Sequence, residues 1–230
     1  MEKFIVNGGI PLNGTVSIGG AKNVALKMFV AALLTDEPVV IHNVPLIRDV
    51  MYMLDVVRSL GVLVEVTDHT VRIRNGHVKE TTVPLEVGAR LRTSSMVIGP
   101  LLARYGEANI PNPGGCRIGA RPIDRHIEGL KEMGAEIIYN HDDGYFHATA
   151  SGLHGTMYRF PKNTHTGTET LLLAAVLAEG ETILENAAEE IEVDDLIKLL
   201  QSMGAAIARI SARTIKIHGV EKLHGTEFSI

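Results

Sequence analysis

Three stretches of the chain repeat one pattern, and that repeat limits the possible folds more than any other feature. AALLTDEPVVIHNVP leads into DVMYMLDVVRSLGVLVEV, GPLLARYGEANIPNPGG into RPIDRHIEGLKEMGAEIIY, and AAVLAEGETILENAAEE into VDDLIKLLQSMGAAIARI. Each time an apolar helix is followed by a turn and a short strand (VVIHNV, EANIPN or ETILEN). An amphipathic helix comes next and closes on a hydrophobic residue and glycine: Leu60-Gly61, Met133-Gly134 and Met203-Gly204. The marker glycines lie 73 and 70 positions apart, and a glycine there ends a helix in the left-handed region at little steric cost. Ile123, Ile127 and Leu130, like Leu196, Leu199 and Leu200, recur at helical spacing, so each second helix has one apolar face. Alternating segments then pair by pattern: VLVEV with TVRIRN, AEIIYN with YFHATA, and AAIARI with TIKIHG.

The expectation is an α/β (α+β) fold of three β-α-β-α-β-β units, about residues 22–88, 89–160 and 161–230, sharing one core. The first helix of each unit (VALKMFVAALL, SSMVIGPLLARY and TETLLLAAVLAEG) is apolar almost all round and belongs inside.

Composition narrows the function classes. A chain of 230 residues, 45% apolar and 21% charged, suits one large or two small globular domains. A net charge of -5 without a dense Lys/Arg block argues against a general nucleic-acid binder, while leaving room for a local anion pocket. A single cysteine excludes an internal disulfide and fits a reducing compartment. The start, MEKFIVNGGIPLNG, lacks a signal-peptide pattern, and the apolar run from Val24 to Leu34 contains Lys27 and is too short for a bilayer. A soluble, cytoplasmic protein with no membrane partner is expected. Ten histidines without HxxxH or CxxC spacing imply no metal site.

Several polar stretches could carry chemistry. In GGAKN, two glycines precede Lys22 and Asn23 at the start of a buried helix, where backbone N–H groups and a lysine suit an anion; a plain turn with a solvated lysine is the alternative. PNPGGCRIGARPID holds Cys116 in a loop that Pro111, Pro113, Gly114 and Gly115 keep out of regular structure. Arg117 and Arg121 favour the thiolate there, against the alternative of an inert buried thiol. Asp124, Arg125 and His126 begin the second helix, and His126 reads as a surface or capped histidine. Arg90 and Arg92 start the second buried helix, where a guanidinium needs a partner or ligand. Lys162 opens the hydroxyl-rich KNTHTGTE, which contains His165. The acidic run Glu189, Glu190, Glu192, Asp194 and Asp195 reads as a solvated helix start. If the three buried helices start at one end, GGAKN, ARLRTSS and KNTHTGTE converge on a cationic surface suited to a phosphorylated small molecule. Lys22, Arg92 and Lys162 would then share a face.

GGAKNVAL, PGGCRIGARPID and LAEGETILENAA, together with the three units, resemble the UDP-N-acetylglucosamine 1-carboxyvinyltransferases, the enolpyruvyl transferases of the first committed step of peptidoglycan synthesis. The resemblance implies an inverse α/β domain, one of two flanking an active-site cleft, with phosphoenolpyruvate and UDP-N-acetylglucosamine as substrates and no cofactor. By the same resemblance Cys116 is the proton donor, alkylated by fosfomycin. Lys22, Asn23 and Arg121 contact phosphoenolpyruvate. Arg92, Arg121, Pro122, Ile123, Asp124, Arg125, Lys162, Asn163, Thr164 and His165 fall at sugar-nucleotide positions. NTHTG departs from the small, apolar VSVGA-like run usual there. The resemblance also assigns residues 1–21 to a strand of a second domain, so this chain is expected to turn over little alone. A non-catalytic or split-subunit sugar-nucleotide module, or a transferase with another acceptor, are the alternative expectations.

Overall fold

The computed structural model describes residues 3–76, 78, 80–114 and 122–230. Cys116, Arg117 and Arg121 lie outside the described residues. In the first unit α1 (Lys22–Ala31) continues through a 3-10 turn (Ala32–Leu34) to β1 (Val39–His42), α2 (Arg48–Ser59), β2 (Leu63–Thr67) and β3 (Thr70–Arg74). The second unit has a short α3 (Leu85–Gly88), then a 3-10 segment (Arg92–Val97) running into α4 (Ile98–Tyr105), β4 (Glu107–Pro111), α5 (Asp124–Glu132), β5 (Glu136–Asn140) and β6 (Tyr145–Thr149). The third comprises β7 (Met157–Arg159), α6 (His165–Ala175), β8 (Glu181–Glu185), α7 (Ile191–Ser202), β9 (Ala206–Ser211) and β10 (Thr214–His218), and the strand β11 (Thr226–Ser229) follows it.

Each unit builds its own sheet, in the orders β11-β1-β3-β2, β4-β6-β5 and β7-β8-β10-β9. The strand expected to open a unit is complete only in the third, where β7 pairs parallel with β8. In the second unit it shrinks to one parallel bridge, Thr82 to Asn109. In the first its place is taken from the far end of the chain, by β11 lying parallel to β1. Ile230 N–H donates to the His42 carbonyl at 3.2 Å, and Asn43 Nδ2 donates to the Ile230 carbonyl at 3.0 Å. The third unit is thereby stitched to the first, and the repeats close into a ring.

The apolar helices form the core, as their composition requires. Residues Val24 to Leu34, Ser94 to Leu102 and Gly167 to Ala175 are all buried. A Cβ on Gly99 would stand 2.8 Å from the Thr170 carbonyl oxygen, so α4 and α6 touch backbone to backbone. Around them α2 buries Val50, Met53, Leu54, Val56 and Val57, and α7 buries Val193, Leu196, Ile197, Leu199 and Leu200. Each fully buried side chain of this size contributes about 1.5–3 kcal/mol. Gly61, Gly134 and Gly204 end their helices at φ 87°, 97° and 100°, the left-handed stop the repeat pattern predicts.

One expectation needs correction. On α5, His126 is buried and is not a surface histidine, while Ile127 is partly buried and packs against the core. Residues 3–19 form no strand and stand exposed, with Phe4, Ile5, Val6, Ile10, Leu12, Val16 and Ile18 at least 78% accessible. The chain is first gripped at Gly20, whose N–H donates to the Asn43 carbonyl at 3.1 Å. Among the described residues no helix is long and apolar enough to cross a membrane.

Candidate active site

Three buried-helix starts meet at one cavity of about 400 Å³, within the range of small-molecule sites. Lys22, Asn23, Leu26 and Lys27 come from α1, Arg90 to Thr93 from the approach to α4, and His165 and Thr166 from α6; Asp49 of α2 completes the wall. No acid stands in the first turn of α1, of the 3-10 segment or of α6. Their positive ends are therefore not neutralised from within, and an anion in the cavity meets aligned N–H dipoles as well as cationic side chains. Lys22 Nζ is held 2.8 Å from Asp49 Oδ2 with both side chains about 40% exposed. The Arg90 guanidinium lies 5.6 Å from the centre of the Tyr52 ring, so α2 also positions the second cation. Arg92 Nη2 reaches the Pro122 carbonyl at 3.5 Å.

The third loop enters differently from expectation. His165 and Thr166 line the cavity, whereas Lys162 is exposed and is not part of its wall. Asn163 Nδ2 donates to the Ala187 carbonyl at 2.9 Å, and Thr164 caps α6 by accepting from Gly167 N–H at 3.3 Å. Thr168 ties the same turn down, donating to the Thr164 carbonyl at 2.8 Å and accepting from Ala188 N–H at 3.0 Å. Asn163 and Thr164 thus hold the loop that presents His165. Pro122, Asp124 and Arg125 line a second, smaller hollow with Glu128 and Pro161, and Ile123 is buried behind it. Burial and the nearby Glu128 carboxylate push the Tyr158 phenol there up to about 12.

Both described ends of the Cys116 loop adjoin the cavity's arginine segment. Gly114 packs directly on the Ala89 carbonyl, too closely to accept a Cβ, and Pro122 meets Arg92. The loop is anchored on each side of Arg90 and Arg92.

Two charged groups beneath the cavity were not singled out as site residues from the sequence. The Lys27 and Glu169 side chains are 3% and 0% exposed, with Nζ 2.9 Å from Oε1. His165 Nε2 lies 3.0 Å from the same oxygen and 3.4 Å from Lys27 Nζ. These are close ionic approaches, although among the described residues neither Glu169 oxygen accepts a hydrogen bond of good angle. Beside them His126 Nε2 meets Thr166 Oγ1 at 2.9 Å. Burial, and then the Arg92 charge, push the His126 imidazole down to about 4. The unfolded chain protonates this ring near pH 6.5 and the folded chain only near 4, so stability complete above about pH 6.5 is lost as pH falls towards 4. The loss reaches about 3 kcal/mol. In urea unfolding across that window, His126→Asn should remove this leg of the pH dependence; equal slopes in variant and wild type would contradict it.

Comparisons with known proteins place the fold. The fold is that of the enolpyruvyl transferases: the structure of the enolpyruvyl transferase NikO from Streptomyces tendae matches with a TM-score of 0.82 at 22% identity, over 97% of this chain and 52% of that one. EPSP synthase from Acinetobacter baumannii matches with a TM-score of 0.75 at 23% identity, over 94% of this chain and 49% of that one. The chain belongs to the EPSP synthase (3-phosphoshikimate 1-carboxyvinyltransferase) family, whose sequence profile matches residues 6–230. Within it, proteins named UDP-N-acetylglucosamine 1-carboxyvinyltransferase from Acidobacterium capsulatum and Solibacter usitatus are each 48% identical over the whole of this chain. The chain spans about half the length of these curated relatives, 53% and 55% respectively.

Proposed function

We propose that this chain forms one wall of an active site that transfers enolpyruvyl from phosphoenolpyruvate to the 3-hydroxyl of UDP-N-acetylglucosamine, in the cytoplasm and as a step of peptidoglycan synthesis. The observation that carries the reading is the convergence of three helix starts and four cationic side chains, Lys22, Lys27, Arg90 and Arg92, on a cavity flanked by both anchored ends of the Cys116 loop. In this reading Cys116 protonates C3 of phosphoenolpyruvate, and C2 becomes electrophilic. The sugar hydroxyl attacks C2 and gives up its proton; C3 then returns a proton as phosphate leaves the tetrahedral intermediate, and the enol ether forms. Lys22, Asn23 and Arg121 hold the phosphate and the charge that grows on it. Arg92, residues 121–125 and the loop 162–165 hold the sugar nucleotide.

Fosfomycin labelling of Cys116, followed by mass spectrometry with and without UDP-N-acetylglucosamine, tests the reading. Labelling that accelerates with the nucleotide is expected; none under either condition would remove Cys116 from the chemistry. A second reading, transfer to a different acceptor, is favoured by His165 and Thr166, bulkier and more polar than the run usual at this cavity wall. Competition among nucleotide sugars for the labelling step would separate the two acceptors.

The exposed apolar segment from Phe4 to Ile18 fits the same proposal as a strand covered by a second domain or partner half. The domain division follows from it: residues 1–21 belong with the other half, and residues 22–230 form the three-unit wall.

A further inference from the structure

We propose that Arg90 is a further contact for phosphoenolpyruvate, its guanidinium taking an oxyanion of that donor beside Lys22, and that Tyr52 is its positioning residue. This rests on the cavity being the enolpyruvyl-transfer site and adds two residues to its donor side. Arg90 lines the cavity just after α3, where its N–H donates to the Val87 carbonyl at 3.3 Å. The residue is exposed, and among the described residues it enters no ion pair. What holds its side chain is the Tyr52 ring, whose centre lies 5.6 Å from the guanidinium carbon. Tyr52 is itself half-buried and packed against the core. The ring is therefore a fixed platform for a side chain that would otherwise sweep many rotamers.

The charges of the wall single this residue out. Lys22 faces Asp49 at 2.8 Å and Lys27 faces Glu169 at 2.9 Å, so each ammonium meets a carboxylate before any ligand arrives. Arg92 is turned to the Pro122 carbonyl at 3.5 Å, beside the start of α5. Arg90 keeps its whole charge for a ligand. An aromatic face restrains a guanidinium without neutralising it, and its N–H fork can still donate twice to one phosphate or carboxylate. Placement on α2 decides which ligand this is. Asp49 and Tyr52 stand three residues apart on one face of that helix, and they hold Lys22 and Arg90 respectively. Both cations thus belong to the side of the cavity that α1 and α2 build, with Asn23. The segments read as nucleotide contacts enter instead from α5 and α6. Phosphoenolpyruvate carries a phosphate and a carboxylate, two anionic groups for which a Lys22 shared with Asp49 is a meagre match.

The test is a phosphorus NMR titration of this chain with phosphoenolpyruvate, inorganic phosphate and UDP-N-acetylglucosamine in turn. Arg90→Gln should raise the dissociation constant for phosphoenolpyruvate about tenfold. Arg90→Lys, which keeps the charge and loses the fork, should recover only part of that. Tyr52→Leu should raise the constant about threefold, and Tyr52→Phe, which keeps the ring, should restore it. In the Arg90→Gln background Tyr52→Leu should add nothing further, whereas a merely structural effect of Tyr52 would persist there. A parallel loss of inorganic phosphate affinity in Arg90→Gln supports the proposal with the phosphate as the group bound; an unchanged one supports it with the carboxylate. Unchanged phosphoenolpyruvate affinity in Arg90→Gln, or a loss confined to UDP-N-acetylglucosamine, would overturn the proposal while leaving the substrate reading intact. No binding of phosphoenolpyruvate by the wild type would overturn both.

Discussion

Lys27→Met should destabilise the fold by about 3–5 kcal/mol, and adding Glu169→Leu should recover most of that loss. The Glu169 side chain is 0% exposed, and its buried partner Lys27 lies 2.9 Å away. Removing the ammonium leaves a carboxylate in the core among α1, α4 and α6, with His165 Nε2 3.0 Å away. Water cannot reach it, so the cost is the desolvation of an unpaired charge rather than the worth of one contact. Methionine closely matches the lysine stem in volume, which keeps a cavity term out of the comparison. The double variant replaces the pair by apolar groups, which is commonly neutral or stabilising. Urea unfolding of the two single variants and the double variant gives a coupling energy. A single-variant loss below about 1 kcal/mol, or additive losses, would show that the pair is not buried as described.

The repeats made most of the architecture legible. Helical spacing and the glycines at 61, 134 and 204 located the amphipathic helices, and the all-apolar helices declared themselves as core. What the pattern missed was long-range. Nothing local in TEFS says that it must lie parallel to VVIH at the other end of the chain, because strand pairing is settled by which edge is left open after the units pack. The site was legible in its cations and less so in its floor. Lys27 and Glu169 each stand as a charge inside a segment otherwise apolar all round, and two such charges on two buried helices are a signal for a pair. Read one helix at a time, neither charge names its partner. His126 misled for the same reason: a histidine among Asp124, Arg125 and Glu128 looks exposed, and only the approach of α6, bringing Thr166 to its Nε2, buries it. Asn163 and Thr164 sit at nucleotide-binding positions by resemblance, yet their side chains hold the loop to Ala187 and Gly167.

On the proposed reading, this chain alone should release phosphate from phosphoenolpyruvate at least about a hundredfold more slowly than it does when mixed with a chain covering the other half of its relatives. The cavity is open to solvent, and Lys22 on its wall is about 40% exposed. Closing such a site excludes water, strengthens each charge contact and fixes the reacting groups in line; losing that closure costs far more than losing one side chain. The surface that would receive the other half is marked by Phe4, Ile5, Val6, Ile10, Leu12, Val16 and Ile18, each at least 78% accessible. Covering them on association should supply much of the binding energy, so Ile5→Asp with Ile18→Asp should weaken reconstitution without disturbing the core. Nucleotide-sugar binding should change less, because its cationic contacts already lie on this chain. Turnover by the single chain at the reconstituted rate would mean that its own residues complete the site and that the exposed segment serves another purpose. Reconstitution indifferent to both aspartates would instead place the contact between the halves elsewhere on the ring.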